Sequence, residues 1–575
     1  MKIIGQLMLL GACGLAGACS DFDTRDSTEA ASGDVPNSIY INGKIITVDD
    51  VFSYAQALAI KGDKFVAVGS NEEIRVLAGP ETKVIDLNGL TVIPGLTDNH
   101  LHAAGGGPGV DLSRARSLDE VLGLIAKRVA ELPPGEIVTT NDDWHEAQLT
   151  EQRLPLRRDL DTVSPNHPVV IVRGGHEFIL NSVALEKWNI SVETPVPDGG
   201  RITRYPDGEL NGELLDTAKR YVTLPPRPKL STDELVQRQA NEYAKLHAVG
   251  LTGVRHPGGS IEEYRIRQEL QRRGLLTMRV TQLLSASGNG EAAEAARTVD
   301  GWGLEPDDGD AMLRIGGIKL GVDGGFEGGF MREPYAEPWG QGGTFYGLQT
   351  VSQQRYNEIV MTLNKLGWRI FTHAVGDAAI DQVLAGYEAA NAEESIVGER
   401  WGIEHGFIPQ HDQFERINAL GLYVSAQNHL YVAGPSLTRY WGPERAAWTT
   451  PVKAYLDAGV PISGGTDSPV IPYPPAWVIY HFVTRDTITG GVMGADQGIS
   501  REDALRLVTR NYAYLTFEED MKGTIEPGRY ADMVVIDRDI MTVPAQEIED
   551  MEVLLTVVGG QVVYENDAFV AGGQL

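Results

Sequence analysis

Residues 89–106 read GLTVIPGLTDNHLHAAGG, an apolar run that closes on His100 and His102. The chain has only 12 histidines in 575 residues, so two of them one residue apart at the end of a strand-like run call for a reason. Side chains at i and i+2 of a strand face the same side, so both imidazoles could grip one cation. The competing explanation is a pair of loop imidazoles with no common task. The rest of the chain separates the two.

Downstream, continuous apolar strands alternate with amphipathic helices. Counting TVIPGLTDNH as the first strand, the others are LTGVRHPG, LTMRVTQLL, RIGGIKLGVDG, WRIFTHAVGD, RWGIEHG, GLYVSAQNH and GVPISGGTDSP. Helix-like segments such as SIEEYRIRQELQRRG and QQRYNEIVMTLNKLG lie between them. Eight β–α units in this order predict an α/β fold, a parallel (β/α)8 TIM-type barrel over residues 94–522. The interval between the first two strands is too long for one unit, which makes residues 107–235 an insertion within the barrel. The two ends, 38–93 and 523–570, share an idiom of short strands and Gly turns (IYINGKIITV, ADMVVIDRD, VLLTVVGGQVVYE). Isolated hairpins are only marginally stable, so these ends are predicted to pair into one small β-sandwich domain.

Barrel enzymes carry their chemistry at the C-terminal ends of the strands. Those ends hold His100 and His102 on strand one, Lys319 on strand four, His373 on strand five, His405 on strand six and Asp467 on strand eight. Four imidazoles and a carboxylate on one rim suit zinc or a similar divalent ion. Lys319 needs its own account, because an ammonium beside dications is unfavourable and burial lowers its pKa. It either pairs with a nearby acid such as Asp323 or carries CO2 as a carbamate that bridges two metals. Nicotinamide and P-loop chemistries are excluded, since no GxGxxG opens a helix after a strand and no GxxxxGK[ST] occurs.

Composition bounds the partners. A formal net charge of −30 argues against nucleic acid and leaves a small-molecule substrate. No internal run approaches the roughly 20 apolar residues of a membrane span. Residues 1–19, MKIIGQLMLLGACGLAGAC, have one basic residue and then an apolar core, which is the layout of an export signal. Both cysteines, Cys13 and Cys19, lie inside it, so the remaining chain has no disulfide. LAGAC ending at Cys19 resembles a lipoprotein signal, which implies lipidation there, with a plain secretory signal as the alternative; either reading makes residues 20–37 a tether and gives a periplasmic or cell-envelope address.

The motifs PGLTDNHLH, IKLGVDGG, THAVGDAAI, GIEHGFI and GGTDSPV resemble the amidohydrolase superfamily, specifically amidohydrolase family 3 (the YtcJ-like group). HPVVIVRGGHEFILNSVAL and RYPDGELNGELLDTAK are similar to that group too, and the likeness runs from about residue 39 to 564. The resemblance implies a metal-dependent hydrolase with His100, His102, Lys319, His373, His405 and Asp467 as the metal set. It also implies Lys319 as the carbamate bridge of two zinc ions, and the two-piece β-sandwich. Three departures fall in expected pocket walls: NDDWHE before the insertion's tryptophan, Asp323-Gly324-Gly325 followed by FEGGFM, and Gln427-Asn428 after strand seven.

The expected reaction is hydrolysis of a non-peptide C–N amide bond, in an N-acyl or N-formyl amide or an N-acyl amino acid. A metal-acidified water would attack the carbonyl, with Asp467 as proton shuttle. His176 is expected to polarise the carbonyl, with Trp144, Asp323 and His429 as further substrate contacts. Asp377 is expected to cap a helix, and residues 326–346 to form a lid or pocket rim. A deaminase, cyclic-imide or ester hydrolase on the same metals, and a secreted binding protein without turnover, are the rivals.

Overall fold

A computed structural model describes residues 35–197, 199–224, 229–286 and 290–569. The expected export signal, with Cys13 and Cys19, lies outside these residues, as does most of the tether. No described helix is long and apolar enough to cross a membrane.

The eight strands form one parallel sheet in sequence order. They are β1 (Leu96–Asp98), β2 (Leu251–Gly259), β3 (Arg279–Ser285), β4 (Leu313–Gly321), β5 (Ile370–Ala374), β6 (Gly402–His405), β7 (Tyr423–Gln427) and β8 (Ile462–Gly465). The first and last strands come together through Asn99 N–H donating to Gly464 O at 3.2 Å, which nearly closes the barrel. Ile318, Ile370, Ile403, Val424 and Ile462 are buried, as strands sandwiched between a barrel interior and a ring of helices must be. The outer helices start on reciprocal caps: Ser231 with Glu234 opens Thr232–His247, and Ser260 with Glu263 opens Ile261–Arg272.

The opening stretch is two strands rather than one. Thr91–Pro94 pairs antiparallel with Met533–Ile536 in a six-stranded sheet that mixes both chain ends. The chain then breaks at Gly95 and re-enters as β1 of the barrel. A Cβ at Gly95 would lie 2.2 Å from Thr252 Oγ1, so only glycine lets the two sheets approach here. A four-stranded sheet built from Lys64–Gly69, Ala57–Lys61, Ser38–Ile41 and Lys83–Asp86 accompanies the six-stranded one. Tyr40, Ile45, Phe65, Val92, Val535 and Val557 of these sheets share one core.

Between β1 and β2, five strands form a separate sheet. PVVIVRGGHEFIL is a hairpin within it, Val169–Arg173 against Glu177–Leu180, turning through Gly174-Gly175-His176 with Gly174 at φ 51°. That turn points at the barrel mouth and delivers His176 to it.

Candidate active site

The rim is assembled from strand ends that two devices aim inward. First, Asp98 ties β1 to β8, accepting from His100 N at 2.9 Å and from the Thr466 hydroxyl at 2.6 Å. Burial pushes its carboxyl up to about 7. Second, His405 and Asp467 both take left-handed backbone, at φ 74° and 62°. Glu404 already points into the barrel, so a regular strand would turn His405 outward; the left-handed residue puts both side chains on the mouth side.

The six residues expected at the metal converge. His100 Nε2 and His102 Nε2 each lie 3.2 Å from Asp467 Oδ1, and these three donors fall within 4.8 Å of one another. Lys319 Nζ is 3.5 Å from His100 Nε2. The His100 and His405 rings lie 4.8 Å apart, and those of His373 and His405 4.5 Å.

The far ring nitrogens are occupied, which decides which nitrogen faces the centre. Glu404 Oε2 holds His100 Nδ1 at 2.5 Å and Gln427 Oε1 holds His405 Nδ1 at 2.7 Å, turning both Nε2 atoms inward. His373 is reversed: its Nε2 meets Gly324 O at 3.2 Å, which leaves Nδ1 as its lone-pair nitrogen. Pinned neutral imidazoles, a carboxylate and a lysine at one point are a donor set that fits a divalent ion.

Electrostatics agree. Burial pushes the Asp467 carboxyl up, but the His100 charge and hydrogen bonds from His100, His102 and His429 outweigh it and hold it well below the carboxylate range. Burial lowers Lys319, which favours its neutral, nucleophilic form.

The chain that carries this constellation matches a known family pattern over most of its length. The pattern of the amidohydrolase family covers residues 83–564. The chain belongs to the amidohydrolase family. This amidohydrolase is 32% identical over 549 residues to the N-substituted formamide deformylase of Arthrobacter pascens, across 91% of this chain and 98% of the relative. It is 26% identical to YtcJ of Bacillus subtilis, across 92% of this chain and 99% of the relative. Among solved structures, a metal-dependent hydrolase of Pyrococcus furiosus superposes with a TM-score of 0.63 at 26% identity, covering 88% of this chain and 100% of that one. The chain is thus an enzyme, a metal-dependent hydrolase on a TIM-type barrel.

Other expected contacts of the amidohydrolase are placed less uniformly. His429 begins the helix His429–Trp441, and its Nε2 lies 3.3 Å from Asp467 Oδ2. His176 faces the rim from the insertion, 6.3 Å ring to ring from His373, while Asp216 Oδ1 holds its Nδ1 at 2.7 Å. Gly325 makes room for it, since a Cβ there would sit 2.9 Å from His176 Cδ2. Trp144 is fully buried with its indole N–H on Val172 O at 2.7 Å, and it lines the narrower of two cavities.

Asp323 is a correction. It is neither the partner of Lys319 nor a substrate contact. Its carboxylate has no exposed surface and accepts from the backbone N–H groups of Phe330, Val375 and Gly376 at 2.9 to 3.1 Å. It lies 3.5 Å from His373 Nε2, so it fixes the loop and that imidazole together. Asp377 is a second correction, because Gly376 occupies the cap position. Asp377 Oδ1 instead accepts from Arg332 N at 2.7 Å, holding the long loop to that helix. The loop itself is a packed wall rather than an open lid: Phe326, Met331 and Tyr335 are buried, and the Trp441 indole donates to Phe326 O at 3.0 Å.

Two cavities meet at Asp467. The wider, about 450 Å3, opens over His100, His102 and Lys319 and is walled by Asp142, Leu320 and Val470. The narrower, about 50 Å3, runs inward between Phe326, Phe407, Val375, Trp144 and His429. His145, to which the sequence assigned no role, lines it too, and burial pushes its pKa down to about 3, so it is neutral there.

Proposed function

We propose that this amidohydrolase cleaves the C–N bond of an N-substituted amide with a small acyl group, formyl or a short N-acyl. The observation that carries this reading is Asp467, held ionised where the wide and narrow cavities meet. The likeness to the Arthrobacter pascens deformylase supports the amide class.

His100, His102 and Asp467 would hold one ion, and His373 and His405 a second, with Lys319 as carbamate between them. When bound, such ions supply Lewis acidity, lowering the pKa of a water and polarising a carbonyl. Asp467 takes the proton of the attacking water on a carboxylate oxygen and returns it to the departing nitrogen, so the amine leaves neutral. Burial pushes the His176 imidazole down, but the hydrogen bond and charge of Asp216 on Nδ1 outweigh it and favour the protonated ring, whose Nε2–H is then a donor to the carbonyl oxygen as it gains charge. His429 steadies the second Asp467 oxygen. The aromatic wall of the narrow cavity excludes water from one end of the substrate.

The test is a panel of N-formyl, N-acetyl and longer N-acyl amines and amino acids, beside small esters, with zinc-loaded and chelated protein. Cleavage of short-acyl amides that stops on chelation is expected. Turnover of esters or ring imides with silence on every amide would overturn the reading in favour of the rival hydrolase. Loading in carbon-13 bicarbonate is expected to give a carbamate carbon signal that Lys319→Arg lacks; the same spectrum from both proteins would remove the bridge.

A further inference from the structure

The panel spans two kinds of substrate, acylated amines and acylated amino acids, and they differ by a carboxylate that the protein must accommodate. Burying a carboxylate without a matching cation is strongly unfavourable, so sites for such substrates supply Arg or Lys. Among the described residues, the wide cavity has one basic side chain other than histidine, Lys319, which sits within the metal set. Two acids line its wall outside that set, Asp142 and Asp323, and the Asp323 side chain has no exposed surface, which leaves Asp142 to face a ligand.

The narrow cavity has one, Arg173, and its guanidinium is already matched. Its Nε lies 3.1 Å from Glu146 Oε2, and its Nη2 contacts both Glu177 and Glu327. Burial pushes the Glu177 carboxyl well above its ordinary range, but Glu146 and Glu327 already match this cation, which is 5% exposed, so a further anion meets no free positive charge. Lys219, behind the turn that carries His176, donates to Gly175 O and lies among Asp216, Glu177 and Asp142. His176 has Asp216 against it. The chain as a whole, at −30, also repels anions at a distance.

We propose that the site selects amides whose amine side carries no carboxylate, neutral or cationic N-substituted amides. Asp142 sets that preference in the wide cavity, and Glu327, by holding Arg173, sets it in the narrow one. The inference rests on the amide reading above for what the site cleaves, but the charge preference is a property of the cavity and is measured without turnover.

The experiment is calorimetric binding to the zinc-loaded full chain at neutral pH of three N-hydroxyformamides on one N-(2-phenylethyl) frame, so that the varied group lies on the amine side. They bear a para carboxylate, a para methyl or a para aminomethyl group. The carboxylate member is expected to bind at least about tenfold more weakly than the methyl member, and the aminomethyl member at least as tightly as the methyl one. Asp142→Asn or Glu327→Gln is expected to shrink the carboxylate penalty to about threefold or less. A carboxylate member that binds as well as the methyl one overturns the proposal. So does an unchanged penalty in both variants, or failure of the methyl and aminomethyl members to bind. Absence of amide cleavage alongside the expected order of affinities would instead strike only the reaction class.

Discussion

Asp467→Asn is expected to lower kcat by roughly 10³-fold, the range of a lost acid–base group, while the protein keeps most of its metal. Asparagine preserves the shape and one oxygen, so His100 and His102, each 3.2 Å from Oδ1 in the wild type, still have a polar partner. What it cannot do is hold a proton between two steps. The loss should therefore appear in kcat and kcat/KM alike, the signature of an interaction made only in the transition state. The wild-type carboxyl is held well below its ordinary range, once the three imidazoles have outweighed burial, so its basic form is populated throughout the neutral range. Metal content by elemental analysis and turnover of the amide found by the panel are the two measurements. Near-normal turnover in a metal-replete variant removes Asp467 from proton transfer. Loss of metal along with turnover makes it a ligand first.

The parts of this site that announce themselves in the sequence are those where a strand ends on an unusual residue. HxH after an apolar run, and a histidine or aspartate closing the later strands, needed only the period of two and the order of units. The supporting residues were hidden for a physical reason. Glu404 sits inside GIEHG and Arg255 inside LTGVRHPG, each one residue from a histidine, and in a run read as buried they pass for noise around it. A buried Glu must have a partner, so GIEHG did carry a signal. What the sequence withholds is which of many arginines answers it, since Arg255 and Glu404 are 149 positions apart. Asp216 was invisible in the same way, and so was the division of TVIPGL between two sheets. Gly95 marks that division, but a glycine in a strand only says that something comes close. Asp323 shows the opposite error. A carboxylate next to the rim suggested substrate, whereas its three backbone donors give it the loop to hold.

Arg255→Ala tests the hidden support and is expected to cost about 3–5 kcal/mol, the loss typical when one member of a buried ion pair is removed. In the wild type Arg255 donates to Glu404 through Nη1 at 2.6 Å and Nη2 at 3.0 Å, and Glu404 passes the constraint to His100 Nδ1. Burial pushes the Glu404 carboxyl up, but the Arg255 charge, followed by that of His100, brings it well below the usual range. A carboxyl depressed on folding contributes stability above its unfolded pKa of about 4.3 and loses it as pH falls through the folded value. Without Arg255 the burial contribution is left opposed mainly by His100, so the sign weakens or reverses. The deficit between variant and wild type should then be largest at neutral pH and shrink on acidification toward about pH 4. The measurement is thermal unfolding of both proteins across that window, with metal content followed in parallel. A deficit that stays constant with pH would assign the cost to lost packing of the arginine stem rather than to the stranded carboxylate. The double variant Arg255→Met with Glu404→Gln separates structure from function. Removing both charges restores most of the stability, as buried pairs replaced together often do. His100 loses its carboxylate, so metal affinity is still expected to fall by about 10–100-fold, the loss typical of outer-shell partners. A double variant that regains stability and metal together would mean that His100 is aimed by the barrel wall alone.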